Sequence, residues 1–194
     1  MKLKYKLDLQ YFGGRGSASA SGSSIFKGQR GGSGNAPSTP DLPAKMNKLY
    51  NGNKMSAQHT VSTFRSEHAS SNTEHAIIYD DDGFVSIYKH GGKSSVGWTA
   101  DELTGGHLVH NHPSGSNFSR ADLDTWSTTG IKSITASSTK VDYTVTKGSH
   151  FNSSGFLKGI NNAKSNKSNY NDAVDEWLKA NQKKYGYTYK VKNY

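Results

Sequence analysis

His110 and His112 stand two residues apart in His110-Asn111-His112-Pro113-Ser114-Gly115, and Ser119-Arg120-Ala121-Asp122 follows shortly after. On an extended segment, side chains at i and i+2 project from the same face, so two neutral imidazoles can close on one metal ion. Pro113 cannot continue a central strand, which predicts that the strand ends just after His112. The Pro-Ser-Gly turn then leads to a helix carrying the Asp122 carboxylate. Two nitrogens, one oxygen and an open fourth position describe a catalytic zinc site rather than a closed structural one. The chain has no cysteine. Disulfides, thiolate zinc sites and thiol nucleophiles are therefore excluded, and any metal must be held by His, Asp or Glu. Each half of the pattern has a plainer explanation. His-x-His also occurs as the polar face of a strand, and Ser119-x-x-Asp122 has the spacing of a capping box with Ser119 as N-cap. Their joint spacing is what points to a site.

The elements that must position these residues follow from periodicity. Residues 56–66 predict a short helix with Ala57, Val61 and Phe64 on one side. Residues 75–80 read as a β-branched strand, Asp81-Asp82-Gly83 as a turn, and 84–88 as the hairpin partner. A short helix is expected over 99–103, and a strand over 107–112. A helix opens at Ser119 and stops near Gly130. Strands over 131–136 and 141–146 pair across 137–140. Ala173, Val174, Trp177 and Leu178 share one face of a helix over 171–184, followed by a strand with Tyr187, Tyr189 and Val191 alternating. Strands and helices interleave without a regular βαβ repeat, which gives a mixed α/β (α+β) class with a central sheet flanked by helices. His107 has odd parity with His110 and should point away from it, whereas His75 could line a cleft. Trp98, Trp126 and Trp177 read as core or rim aromatics.

The chain has 194 residues, a hydrophobic share of 32% and a net charge of +9. The low apolar share implies that part of it lies outside a core. Residues 1–12 alternate apolar and polar at Leu3, Tyr5, Leu7, Leu9 and Tyr11, an interaction strand suited to a partner's sheet edge. Residues 13–40 contain eight glycines, seven serines, three basic residues and no acid. That is a linker composition. The expected organisation is an interaction segment (1–12), a flexible linker (13–43) and one domain (44–194) ending in a basic helix. The basic excess suits non-specific contact with nucleic acid as well as a solvated surface. No apolar run is long enough to span a membrane, and the N-terminus lacks the apolar core of a secretory signal.

The run from His110 to Gly115 with Ser119 and Asp122 resembles the motif of JAMM (MPN+, JAB-type) zinc metallopeptidases, most closely their RadC-like bacterial branch. The resemblance covers roughly residues 74–146, and the run from His112 to Asp122 is one residue shorter than is common there. It implies a cytidine-deaminase-like sandwich, with His110, His112 and Asp122 as zinc ligands and water in the fourth position. It also implies that Ser119 steadies the tetrahedral intermediate or the Asp122 loop. The family further uses a glutamate before an earlier strand as general base. Glu74, immediately before His75-Ala76-Ile77-Ile78-Tyr79, matches that pattern best, ahead of Glu67 and then Glu102. The implied activity is hydrolysis of a peptide or isopeptide bond in a peptide or protein substrate. Residues 7–16 and the stretch from Trp177 to Tyr187 are similar to the ends of phage head-morphogenesis and minor capsid proteins. That similarity implies capsid or portal proteins as partners and a place in the host cytoplasm or on the virion. The alternative expectation is a phage structural or DNA-associated protein with a RadC-like fold and no peptidase activity.

Overall fold

The computed structural model describes residues 4–8, 23–24, 56–93 and 95–194. Along the chain come β1 (Lys4–Asp8), β2 (Ser23–Ser24), α1 (Ala57–His68), β3 (His75–Tyr79), β4 (Val85–His90), β5 (Ser95–Thr99) and β6 (His107–Asn111). These are followed by α2 (Arg120–Thr128), β7 (Ser133–Ser137), β8 (Val141–Lys147), α3 (Ser153–Asn162), β9 (Lys164–Ser165), α4 (Tyr170–Ala180), α5 (Gln182–Tyr185) and β10 (Tyr187–Asn193). The result is a mixed α+β fold. Its six-stranded sheet has the order β10-β8-β7-β6-β3-β4.

Only β6 and β7 run parallel in that sheet; the other neighbours are antiparallel. A parallel pair cannot be joined by a hairpin and needs a crossover. Here the crossover is α2 with its flanking loops, so the connection itself carries Asp122 back over the strand that holds His110.

Strand parity sorts the core into two layers. Ala76, Ile78, Leu108, Ile134, Ala136 and Val145 face Leu123 and Trp126 of α2, Phe156 and Ile160 of α3, and Val174 and Leu178 of α4. Ile77, Tyr79, Tyr88 and Val109 face the other way, against Phe64 of α1. Burying each large aliphatic side chain in these layers contributes about 1.5–3 kcal/mol. β6 is covered on both faces, Leu108 packing in the layer beneath α2 and Val109 in the layer beneath α1. His110 has the parity of Leu108 and therefore emerges on the α2 side.

Several expectations change. The strand expected at the N-terminus is present over Lys4–Asp8, pairs antiparallel with β5 and lies against α2. β5 replaces the start of the short helix expected over 99–103, where the chain turns from Ala100 to Leu103. Glu102 enforces that turn by accepting the Thr99 N–H at 2.7 Å. α2 ends at Thr128 with Thr129 extended, not at a left-handed Gly130. The glycine instead allows close approach, since a Cβ there would lie 3.2 Å from Thr104 Cα. The long helix over 171–184 is split at Asn181 into α4 and α5, and Gly186 ends α5 with φ +73°. The linker over 13–43 and the domain start near 44 lie outside the described residues, apart from β2, which pairs with β9. Trp98 and Trp126 are core residues and Trp177 packs on the core's rim, as expected. Among the described residues, no helix is long and apolar enough to cross a membrane.

Candidate metal centre

β6 ends at Asn111, one residue earlier than expected, because His112 turns its backbone N–H to Ser137 O at 2.6 Å ahead of Pro113. The turn that follows needs the left-handed Gly115, with φ +69°. His110 and His112 still share a side: their Nε2 atoms lie 2.8 Å apart. The Asp122 carboxylate completes the group, with Oδ1 3.4 Å from His110 Nε2 and Oδ2 3.4 Å from His112 Nε2. All three side chains are fully buried. Among the described residues, this is the one cluster of His, Asp or Glu placed to hold a metal ion.

The capping-box reading of Ser119-x-x-Asp122 holds, and the box orients the same carboxylate that lies beside the two histidines. Ser119 Oγ accepts the Asp122 N–H at 3.2 Å, and the Ser119 N–H donates to Asp122 Oδ2 at 2.7 Å. The box fixes the carboxylate rotamer and consumes Oδ2. Oδ1, buried beside His110, accepts no hydrogen bond. Losing the Ser119 hydroxyl should cost about 1 kcal/mol of stability. Ser119→Ala is expected to lower Tm by about 2–4 °C and to weaken metal binding about tenfold. Thermal unfolding of the apo protein and a zinc titration measure the two effects separately.

The donor chemistry fits a cation. Ser116 O lies 2.9 Å from His112 Nδ1, and a carbonyl only accepts. The proton is therefore on Nδ1, and the Nε2 lone pair points into the cluster. Tetrahedral coordination with bonds of about 2.0–2.1 Å has ligand–ligand edges of roughly 3.3–3.4 Å. The His110 Nε2–Asp122 Oδ1 distance of 3.4 Å already has that length, whereas the two Nε2 atoms, 2.8 Å apart, would have to separate to receive the ion. Burial keeps the His110 pKa below the ordinary histidine value, partly offset by Asp122, so its imidazole is held neutral. Burial pushes the Asp122 carboxyl upward, but its neighbours His110 and His112 outweigh burial and hold it below the ordinary carboxylate value. The donor set is two imidazoles and one carboxylate, a set that suits zinc and its neighbours among the divalent transition metals.

Of the three candidate bases, Glu74 alone is fully buried, at the entry to the strand that pairs with β6. It is buried at 1% exposure. Its backbone N–H donates to Gly92 O and its carbonyl accepts from the Gly91 N–H, both at 2.8 Å. The β3–β6 ladder pairs Ala76 with His110. The ladder stops there, two residues short of Glu74, which has the strand parity of Ala76. Glu67 is exposed on α1, which covers the other face of the sheet. Glu102 is taken up by Lys89, with Nζ to Oε2 at 2.8 Å. Breaking a buried ion pair costs about 3–5 kcal/mol, and less where one partner keeps some solvent. Glu102 retains 21% exposure, so Glu102→Ala is expected to destabilise by about 2 kcal/mol. It should leave zinc affinity unchanged, which denaturant unfolding beside a zinc titration would establish.

The other histidines stand apart. His75 does not line the metal side: its ring bonds Tyr88 OH at 2.7 Å and stacks on His68 at 4.4 Å on the α1 side. Burial, then the charge of His90, lowers its pKa to about 4. His107 bonds Ser133 Oγ and Asp81 Oδ1 at the far end of β6. The sequence reading missed the residues that hold the ligand loop. Asn117 Nδ2 donates to Tyr189 OH at 2.7 Å, and its backbone N–H donates to Asn171 Oδ1 at 3.0 Å. Tyr170 OH donates to Phe118 O at 2.9 Å. These partners lie more than fifty residues away in sequence, where no local spacing betrays them.

No family model matches the chain, and no curated protein or solved structure is significantly similar to it.

Proposed function

We propose that the protein is a zinc-dependent hydrolase of the JAMM type that cleaves a peptide or isopeptide bond, built on a cytidine-deaminase-like sandwich. The observation that carries this reading is the convergence of His110, His112 and Asp122; the burial of Glu74 at the entry to the neighbouring strand supports it. His110 Nε2, His112 Nε2 and Asp122 Oδ1 would hold the ion. Zinc bound there supplies Lewis-acid chemistry, polarising a carbonyl and lowering the pKa of water to about 7. The Glu74 carboxylate accepts the proton from the attacking water and returns it to the leaving amine nitrogen. Ser119 Oγ accepts within the capping box and keeps its own proton for donation to a developing oxyanion. Ser116 O holds His112 in the ligating tautomer, and the buried surroundings strengthen each of these interactions.

The test is hydrolysis of peptide libraries and Nε-lysyl isopeptide libraries by the purified chain, read by mass spectrometry. Cleavage that a chelator abolishes and added zinc restores is the expected result. A second reading follows from the burial of all four residues, at 0–1% exposure. A structural metal would then hold together a phage head or DNA-associated protein. That reading expects zinc to raise Tm with no cleavage of either library. Capsid or portal proteins as partners, and a basic surface beside packaged DNA, belong to both readings.

A further inference from the structure

Glu74 sits just beyond the end of regular pairing between β3 and β6, whose last backbone rung is Ala76 opposite His110. Past that point the two segments are joined by a side chain. Asn111, between the two histidines, is fully buried. Its Oδ1 accepts the His75 N–H at 2.7 Å, and its Nδ2 donates to Thr73 O at 3.0 Å and to Ser71 O at 3.4 Å. A primary amide accepting from one residue and donating to the residue two before it reproduces what a backbone peptide does in a ladder. The residue flanked by those bonds is Glu74. Its own N–H and C=O point the other way, to Gly92 and Gly91, so its backbone is fixed from both sides.

We propose that Asn111 is a positioning residue, its side-chain amide coupling the segment that carries Glu74 to the strand that carries His110 and His112. The inference rests on the reading of Glu74 as the general base. The amide lets proton acceptor and metal ligands keep one spacing, although the backbone ladder stops short of Glu74. Positioning of this kind is what proton transfer over hydrogen-bond distance demands. No other side chain in the His-x-His turn could do it: His110 and His112 are committed to the cluster, and Pro113 has no donor. Glycine, serine or alanine at 111 would leave two part-buried carbonyls and one part-buried N–H without this partner.

Full-length protein loaded with cobalt(II) tests this, because the visible spectrum of the ion reports its ligands and the ionisation beside it. Wild type, Glu74→Gln, Asn111→Ala and Asn111→Ser are compared for cobalt stoichiometry, for the pH dependence of the spectrum and for hydrogen exchange at the His75 amide. Both Asn111 variants are expected to bind cobalt at the wild-type stoichiometry. Their His75 amide should exchange roughly five- to tenfold faster, as loss of one hydrogen bond implies. The spectral pH profile should shift by about half a pH unit or more, in the direction that Glu74→Gln moves it. If Glu74→Gln leaves the profile at wild type, the base reading itself fails. If Glu74→Gln moves the profile and both Asn111 variants match wild type, the base stands and the coupling is refuted. Loss of cobalt from the Asn111 variants would also overturn the inference, because the amide would then be serving the ligands and not the base. Should Asn111→Ala fail to fold, Asn111→Ser decides on the same three readouts.

Discussion

Glu74→Gln is expected to bind zinc as the wild type does and to lose turnover by about 100- to 10,000-fold. Glutamine has the shape of glutamate and keeps the buried volume, but its amide cannot accept the proton of an attacking water. The residue lies outside the ligand cluster, so the metal affinity has no reason to follow the loss. Its backbone ties to Gly91 and Gly92 do not involve the side chain, so the strand entry stays in place. Parallel measurement of kcat and zinc stoichiometry separates the two effects. A variant that retains more than about a tenth of the turnover would fall outside the range expected for removing a positioned base. Glu67 and Glu102 could not then take over without moving to the other side of the sheet or abandoning Lys89.

The second large effect concerns the metal itself. His112→Ala removes one of three protein ligands and also the Nδ1 contact to Ser116 O that shapes the loop. Changing outer-shell partners alone weakens metal binding by about 10- to 100-fold, so loss of a ligand should exceed roughly 100-fold. Stability follows by linkage. Zinc at about a thousand times its Kd stabilises the folded state by about 4 kcal/mol. For a chain of this size that corresponds to a rise in Tm of roughly 8–16 °C. The wild type should show that rise, with His112→Ala showing little or none at the same zinc concentration. Differential scanning calorimetry with and without zinc provides the comparison.

Where local pattern and tertiary demand agree, this chain can be read directly. The two histidines share a face because the strand period is two, and Asp122 reaches them because a parallel β6–β7 pair requires a crossover helix. Ser119 and Asp122 do form the capping box, and it takes up Oδ2 while Oδ1 stays beside His110. What escaped the sequence reading is set by distant partners. α3 carries Gly155 and Gly159, which weaken a helical pattern. The reason for Gly159 is tertiary: a Cβ there would lie 2.2 Å from Tyr185 OH. Glu102 lies close to His110 in sequence, yet it belongs to Lys89, thirteen residues earlier. Asn111 stood in plain view inside the motif, but its partners Ser71, Thr73 and His75 are more than thirty residues upstream. Parity and spacing can place ligands on a face; they cannot reveal which side chain finishes a ladder that the backbone leaves incomplete.

The most direct test of the central claim is metal content. Wild-type protein and His112→Ala, purified in parallel without chelator and equilibrated with zinc, are compared by elemental analysis. The His110–His112–Asp122 site predicts stoichiometric zinc in the wild type and its loss from the variant. A wild type that holds no zinc after equilibration, or a variant that holds as much as the wild type, would contradict it.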